Sequence, residues 1–167
     1  MHATRTYLQL TDRGALVPKR LDREGVRVDR IERCAPSFWR SLYQEVGGPY
    51  HWVDRLPWTD AEINAYLSDP AVSLWVLTVD GEVGGYFELR ETHARSVEIA
   101  YFGLRPGFYG QGLGAYLLTA ATERAFDAGA DRVWLHTSTL DHPAALPNYL
   151  KRGFRRYRSE EYEVGPI

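Results

Sequence analysis

The segment that most constrains the fold is residues 97–115, VEIAYFGLRPGFYGQGLGA, which reads as a strand, a glycine-rich turn and the start of a helix. Gly107, Gly110, Gly112 and Gly114 fall where a backbone turns tightly or passes close to a neighbour. Such a turn leaves backbone N–H groups exposed beside the positive end of the helix dipole. Because this arrangement favours anions, above all phosphate, the segment predicts a site for a phosphorylated small molecule.

The remaining patterns predict a mixed α/β sheet. Residues 72–79 and 83–90 flank Asp80-Gly81, a dipeptide that suits the positive-φ positions of tight hairpin turns. A strand, helix and strand then run from residue 97 to 139, which brings two strands into parallel or neighbouring positions. Further patterns predict a strand at 26–32, helices at 36–46, 59–69, 112–128 and 143–151, and a final strand or hairpin at 154–164. Pro147 is expected to kink or restart the last of these helices.

The N-terminus could form a small extra hairpin. Residues 5–10 and 15–21 could form a small hairpin across residues 12–14. The chain of 167 residues is long enough for one domain with a real core, and we expect residues 1–167 to form a single domain.

Composition limits the partners and the location of the protein. A formal net charge of -2 offers no electrostatic argument for a nucleic-acid or membrane partner. The chain has no stretch of about 18 apolar residues and no secretory signal at its start, so we expect a cytoplasmic protein. A single cysteine, Cys34, excludes an intramolecular disulfide and a CxxC metal site, although a site made of His, Asp and Glu stays open.

Two kinds of phosphate ligand compete for the glycine turn. Gly110-x-Gly112-x-x-Ala115 formally matches the dinucleotide fingerprint between a strand and a helix. However, several elements precede the turn, and no acidic residue clearly ends the next strand, as a dinucleotide fold would require. A P-loop is excluded, since no Gly-Lys-Ser/Thr follows.

Two motifs together resemble those of the GCN5-related N-acetyltransferase (GNAT) family. Residues 109–114, YGQGLG, are similar to the coenzyme A motif R/Q-x-x-G-x-G/A, with Tyr109 in place of Arg or Gln. Residues 149–154, YLKRGF, are similar to the Tyr-x-x-x-Gly-Phe helix end of the family. His142-Pro143 stands where the family often has Asn-Pro. The resemblance covers about residues 72–158, and the element order over 26–71 also suits the family. The resemblance therefore implies that residues 1–25 are an N-terminal addition.

The resemblance implies a fold with about six or seven strands, about four helices and splayed central strands. Backbone amides of the turn would hold the coenzyme A pyrophosphate, and backbone groups of Phe102 and Leu104 would pair with the pantetheine arm like an added strand. The implied ligand is acetyl-coenzyme A as acyl donor, with no metal. The turn residues implied to bind it are Tyr109, Gly110, Gln111, Gly112, Leu113, Gly114 and Ala115.

Acetyl transfer to an amine needs a base and an acid. Glu98, inside the apolar strand VEIAYF, is the candidate base, since a desolvated carboxylate has a raised pKa. The alternative is that Glu98 faces solvent at a sheet edge or pairs with an arginine such as Arg90 or Arg95. Tyr149 matches the tyrosine that the family places near the coenzyme sulfur and is the candidate acid, the alternative being packing on the sheet. Reserve bases are Glu88, His93 and His136.

The acceptor is expected beside the aromatic loop 47–58. Tyr50, Trp52 and Trp58 would form an apolar wall there, and His136 would lie beside the cleft. The resulting hypothesis is an N-acetyltransferase that acts on a primary amine of a small molecule or peptide. Its alternative is a non-catalytic acyl-coenzyme A sensor or interaction module on the same fold. The family resemblance is also compatible with a homodimer.

Overall fold

The protein is built around one mixed seven-stranded sheet, and a computed structural model describes its residues 1–165. Each pair of neighbouring strands is antiparallel except β5 and β6, which are parallel. The sheet order is β2-β3-β4-β5-β6-β1-β7. The strands are β1 (His2–Leu10), β2 (Val26–Ile31), β3 (Val72–Val79), β4 (Glu82–Glu91), β5 (Ser96–Leu104), β6 (Arg132–Ser138) and β7 (Arg155–Glu163), and the helices are α1 (Pro36–Gly47), α2 (Asp60–Ser68), α3 (Leu113–Asp127) and α4 (Ala145–Lys151). The predicted mixed α/β class is confirmed.

Local sequence signals explain where several elements begin and end. The Thr59 hydroxyl accepts a hydrogen bond from the Glu62 backbone N–H, and the Glu62 carboxylate accepts one from the Thr59 backbone N–H, so that a capping box starts α2. Asp80 and Gly81 both have positive φ, as the tight turn between β3 and β4 requires. Helix α4 begins at Ala145, which leaves Pro147 in its first turn, where a missing N–H costs little.

Helices cover both faces of the sheet and form two apolar layers. Helix α3 packs its buried face, which includes Leu117 and Ala121, against β4, β5 and β6. On the other face, α1 and α2 bury Trp39, Leu42 and Ile63 against β3 and β4. Each large apolar side chain buried in these layers contributes about 1.5–3 kcal/mol relative to its exposed state. None of the helices within residues 1–165 is long and apolar enough to span a membrane.

The expected N-terminal hairpin is wrong. Strand β1 lies between β6 and β7, pairing with both, whereas residues 15–21 form no strand. That segment instead runs over α3 and α4, with the Val17 N–H donating to the Arg152 carbonyl at 2.9 Å and the Lys19 N–H to Thr119 Oγ1 at 2.9 Å. A two-stranded hairpin would have left Leu8 and Leu10 half covered, while the position inside the sheet buries both. Residues 2–10 are therefore an integral part of the sheet.

The parallel strands β5 and β6 separate halfway along their length, which confirms the splayed central strands. They pair at Ser96–Arg132, Val97–Val133 and Glu98–Trp134, and their register ends there. Beyond Glu98, β5 continues beside β4 as far as Leu104. The divergence opens a gap in the middle of the sheet.

Candidate active site

A cavity of about 450 Å³ occupies the gap between the splayed strands. Its walls are residues 99–104 of β5 on one side, and His136 and Ser138 of β6 on the other. One end reaches the glycine turn before α3, and the opposite end reaches the aromatic loop after α1. The cavity therefore joins a candidate phosphate site to a candidate acceptor site through the opened sheet.

The glycines of the turn present only backbone to the cavity. Gly110 and Gly112 both have a φ of 76°, a conformation that favours glycine. Within the described residues α3 has no side-chain cap, and the first hydrogen bond of the helix runs from the Tyr116 N–H to the Gly112 carbonyl, so the preceding N–H groups lack an intrahelical acceptor. Gly110, Gly114 and Ala115 line the cavity. Donors of this kind suit a phosphate group.

Two residues of the motif contribute no side chain to the cavity. Leu113 is fully buried in the core below α3, and the exposed Gln111 accepts a hydrogen bond from Arg23 Nη1 at 2.9 Å. Any part they play in ligand binding must therefore come from their backbone.

The open space around the Gly114 Cα would allow a ligand to approach the backbone closely. A Cβ built there would meet only Asn148 Nδ2 and Leu104 Cδ1, each at 3.8 Å, which is ordinary van der Waals contact. The protein itself thus has room for a side chain at this position. Asn148 also donates to the Gly114 carbonyl at 3.2 Å, which ties α4 to the start of α3. The residues present are compatible with a pyrophosphate held by the turn.

Both departures from the family motifs, Tyr109 and His142, contact each other. Their rings meet edge to face with centroids 4.7 Å apart. The Tyr109 hydroxyl lies 3.1 Å from the Tyr50 hydroxyl, and the Tyr50 ring is 5.5 Å from His142. All three residues line the cavity, so they connect its glycine turn to the aromatic loop.

Tyr149 lines the cavity from α4 and is 6% exposed. Its ring packs between Phe102 and Phe154, with centroid distances of 6.1 and 6.4 Å. Burial, with a smaller contribution from the Asp141 charge, holds the pKa of its hydroxyl well above the usual range. A phenol in this setting stays protonated near neutral pH and can donate its proton.

Glu98 lies outside the cavity, contrary to the expectation that it meets the substrate. It is 4% exposed and accepts a hydrogen bond from Arg90, as the alternative interpretation held. Glu98 is the last β5 residue paired with β6. The cavity-lining side chain of His136 lies close to it, with His136 Nε2 4.0 Å from Glu98 Oε2.

The end of the cavity opposite the glycine turn is aromatic, and it includes two of the three aromatic side chains that were expected to form an apolar wall. Tyr50 and Trp52 line it together with Tyr43 and Tyr101. Trp58 does not reach it, because its ring stacks on Trp39 at 5.6 Å and packs against α2. The interpretation of Trp58 as a substrate contact is therefore wrong.

A buried ion pair anchors the loop that carries this wall. Arg55 Nη1 donates to both Glu88 oxygens, at 2.8 and 3.0 Å, and the two side chains are 7% and 0% exposed. Glu88 also accepts from Trp39 Nε1 at 3.0 Å and from the Tyr66 hydroxyl at 2.8 Å. The guanidinium carbon lies 4.0 Å from the centre of the Tyr101 ring. Because its oxygens are engaged by these donors, Glu88 is unsuited to act as a base.

The N- and C-terminal strands supply cavity residues that sequence patterns did not reveal. Arg5 of β1 lies over the Tyr162 ring of β7 at 4.3 Å and pairs with Glu160 at 3.1 Å, and Arg5 and Tyr162 line the cavity. Residues 163–165 complete this side, where His51 Nε2 meets the Gly165 carbonyl at 3.0 Å. No local signal marks these residues, since only the insertion of β1 between β6 and β7 brings them together. Within residues 1–165, no cluster of three His, Cys, Asp or Glu side chains could share a metal ion.

Comparisons with known proteins agree with this geometry. A family model described as the acetyltransferase (GNAT) family matches residues 37–154. An uncharacterized N-acetyltransferase of Mycobacterium bovis is 32% identical over 107 residues, which are 64% of this chain and 68% of that protein. A second such relative, from Lactobacillus delbrueckii subsp. lactis, is 28% identical over 112 residues, 62% of this chain and 64% of the relative.

Solved structures share the fold at low sequence identity. A GCN5-related N-acetyltransferase from Kribbella flavida superposes with a TM-score of 0.67 at 19% identity, over 93% of this chain and 55% of that one. The chain thus spans about half the length of the Kribbella protein. An aminoglycoside acetyltransferase from an uncultured soil metagenomic sample has a TM-score of 0.63 at 16% identity, over 77% of this chain and 87% of that one.

The region matched by the family model runs from α1 to the residue that precedes β7, and it includes the splayed strands, the glycine turn and Tyr149. These elements form most of the cavity walls. With the fold, the cavity and the match in agreement, the chain belongs to the acetyltransferase (GNAT) family.

Proposed function

We propose that this protein transfers an acetyl group from acetyl-coenzyme A to a primary amine of a small molecule or peptide. The observation that carries the proposal is a single cavity that runs from the uncapped start of α3, along the open side of β5, past Tyr149 to an aromatic wall. Each part matches one need of the reaction: an anion site, an extended groove, a proton donor and a place for the acceptor.

Donor binding would rest on backbone groups. The N–H groups around Gly110 and Gly114 would hold the pyrophosphate beside the helix dipole. Among residues 1–165, no strand pairs with β5 on its β6 side beyond Glu98, so backbone groups near Phe102 and Leu104 are available to an extended pantetheine arm. Tyr109 would contribute its ring and hydroxyl where the family has a longer basic or amide side chain.

Tyr149 is proposed as the acid and the aromatic wall as the acceptor site. The bound donor supplies an acetyl thioester, whose C–S bond breaks as the C–N bond of the product forms. Tyr149 would give its proton to the departing sulfur. An acceptor ammonium would lie against the faces of Trp52 and Tyr101, with the Asp54 carboxylate at the same end of the cavity.

Calorimetry with coenzyme A, followed by thiol-release assays over a panel of amines with acetyl-coenzyme A, tests the proposal. We expect coenzyme A binding and amine-dependent release of free thiol. No binding at millimolar coenzyme A would contradict the proposal. Binding without turnover on any amine would favour a second function, an acyl-coenzyme A sensor. This alternative is tested because the two residues that depart from the family motifs, Tyr109 and His142, contact each other at the cavity.

Gly114→Ala separates ligand binding from folding. Since a Cβ at this position makes only ordinary contacts, the free energy of unfolding should stay within about 1 kcal/mol of wild type, the size of the helix-propensity difference. The new methyl group would crowd the proposed pyrophosphate, so we expect coenzyme A affinity to fall at least about tenfold, or about 1.4 kcal/mol. Calorimetry and urea denaturation measure the two effects.

The matched control is Gly107→Ala, in the same turn. Gly107 lies outside the cavity, and a Cβ there would meet no atom of the described residues within 4 Å. This variant should bind coenzyme A as wild type does. Wild-type affinity in Gly114→Ala would contradict the proposed position of the pyrophosphate.

A further inference from the structure

His136 stands at the cavity wall, directly in front of the buried carboxylate of Glu98. It lies on β6 two residues beyond Trp134, the last β6 residue paired with β5, so its ring occupies the point where the strands separate. Its side chain is 38% exposed, whereas that of Glu98 is 5% exposed. We propose that His136 is the general base of the acetyl transfer and that Glu98 is a positioning residue behind it. The inference rests on the proposed function.

Arg90, Glu98 and His136 form a chain of contacts, with the 45% exposed Arg90 side chain at one end and His136, at the cavity, at the other. Arg90 donates to Glu98 Oε1, while Glu98 Oε2 faces His136 Nε2 at 4.0 Å. At this distance the carboxylate acts on the imidazole by charge rather than through a direct hydrogen bond. A proton kept on Nε2 by the carboxylate leaves Nδ1 to accept one from the substrate.

The charged surroundings of His136 come from every strand beside it. Glu98 of β5, Asp141 after β6 and Glu160 of β7 favour the imidazolium, whereas Arg5 of β1 opposes it. Burial outweighs the carboxylates and lowers the pKa of His136 below its usual value. The imidazole is therefore neutral at physiological pH and able to accept a proton.

A second ring limits how far the imidazole can turn. Tyr7 of β1 packs against His136 with centroids 5.5 Å apart, and its hydroxyl donates to Glu160 at 2.8 Å. Glu160 is held in turn by Arg5 at 3.1 Å. This network restrains His136 on the side opposite Glu98.

With His136 as the base and Tyr149 as the acid, the proton transfers of the reaction balance. His136 takes one proton from the acceptor ammonium, and the resulting amine forms the C–N bond as the C–S bond breaks. Tyr149 gives its proton to the leaving thiolate and regains one from the amide nitrogen through water. His136 then releases its proton to solvent, so that one proton leaves for each amide and thiol formed.

The test is the pH dependence of kcat/KM for the amine, measured by thiol release. In the wild type, kcat/KM should fall as the pH drops through the pKa of His136. His136→Ala should lower kcat/KM about 10²–10⁴-fold and abolish this acidic limb, and added imidazole should restore part of the rate. Glu98→Gln should lose less activity and move the acidic limb to lower pH, since it removes a charge that favours the imidazolium. Coenzyme A affinity should stay unchanged in both variants.

The expectation that His93 is a reserve base is not met, because His93 lies in the turn between β4 and β5, outside the cavity. His93→Asn is therefore the matched control. It should keep the wild-type rate and profile. A wild-type protein that releases no thiol with any amine would overturn acetyl transfer and the role of His136 together. An active wild type whose His136→Ala variant keeps the acidic limb, or ignores imidazole, would overturn the role of His136 alone. If the acidic limb of the kcat/KM profile has the same pH midpoint in Glu98→Gln as in the wild type, Glu98 is not the positioning residue of His136.

Discussion

Replacing Arg55 by methionine is expected to lower the free energy of unfolding by about 3–5 kcal/mol, the usual cost of leaving one partner of a buried ion pair without the other. Glu88 would keep its hydrogen bonds from Trp39 and Tyr66 but would lose its counter-charge at a position with no solvent exposure. The lost cation–π contact with Tyr101 adds to this cost. Urea denaturation measures the change.

The double variant Arg55→Met/Glu88→Gln shows whether the effect comes from charge. A Gln amide at position 88 carries no charge, and its oxygen can accept from Trp39 Nε1 while its NH2 group donates to the Tyr66 hydroxyl, so most of the stability should return. Arg13→Met is the exposed control, since Arg13 and Asp127 pair at 2.8 Å with side chains 51% and 49% exposed; it should cost about 0–1 kcal/mol. A single variant Arg55→Met as stable as this control would contradict the prediction.

The milder variant Arg55→Lys connects the ion pair to the acceptor site. Lysine keeps the charge but lacks the planar group that contacts both Glu88 oxygens and the Tyr101 ring. Since Asp54 and Trp52 precede Arg55 in the loop and line the cavity, we expect a higher KM for the amine with unchanged coenzyme A affinity.

Tyr149→Phe is expected to lower kcat by about 10²–10⁴-fold, the range typical for loss of a positioned acid. The ring stays packed between Phe102 and Phe154, so coenzyme A affinity and stability should be close to wild type. Because burial raises the pKa of this hydroxyl, the proton is retained as the pH rises, and its ionisation should not reduce the wild-type rate between pH 7 and about 10. Steady-state thiol release and calorimetry separate the two effects.

Tyr157→Phe provides the comparison, because Tyr157 is 41% exposed on β7 and lies outside the cavity. It removes the same hydroxyl group from the same residue type and should leave kcat unchanged. A kcat within twofold of wild type in Tyr149→Phe would remove Tyr149 as the acid and leave it a packing residue of α4.

Features that depend on neighbours in the chain were predictable. The capping box at Thr59, the positive-φ turn at Asp80-Gly81 and the glycine turn before α3 all lie where sequence patterns indicated. Each is set by backbone geometry within a few residues, so no knowledge of the rest of the fold is needed. The family resemblance rests on features of the same kind, and the family membership and mixed sheet that it implied are confirmed.

Features that depend on which strands are neighbours could not be predicted from the sequence. An acidic residue inside an apolar strand pointed to Glu98 as a base in contact with substrate, but the structure pairs it with Arg90 and leaves His136 at the cavity. Similarly, an aromatic loop did not distinguish Trp52, which lines the cavity, from Trp58, which packs in the core.

Residues 97–115 contain both features that the sequence determines and features that depend on the tertiary structure. By itself the sequence determined a strand, a turn with left-handed glycines and a helix start that presents backbone N–H groups, because these follow from local stereochemistry. Only the tertiary structure decided that β1 inserts between β6 and β7, that β5 and β6 part after Glu98, and that His136 stands in the opening. Those outcomes depend on non-local strand pairing and side-chain burial, which no short segment of the chain encodes.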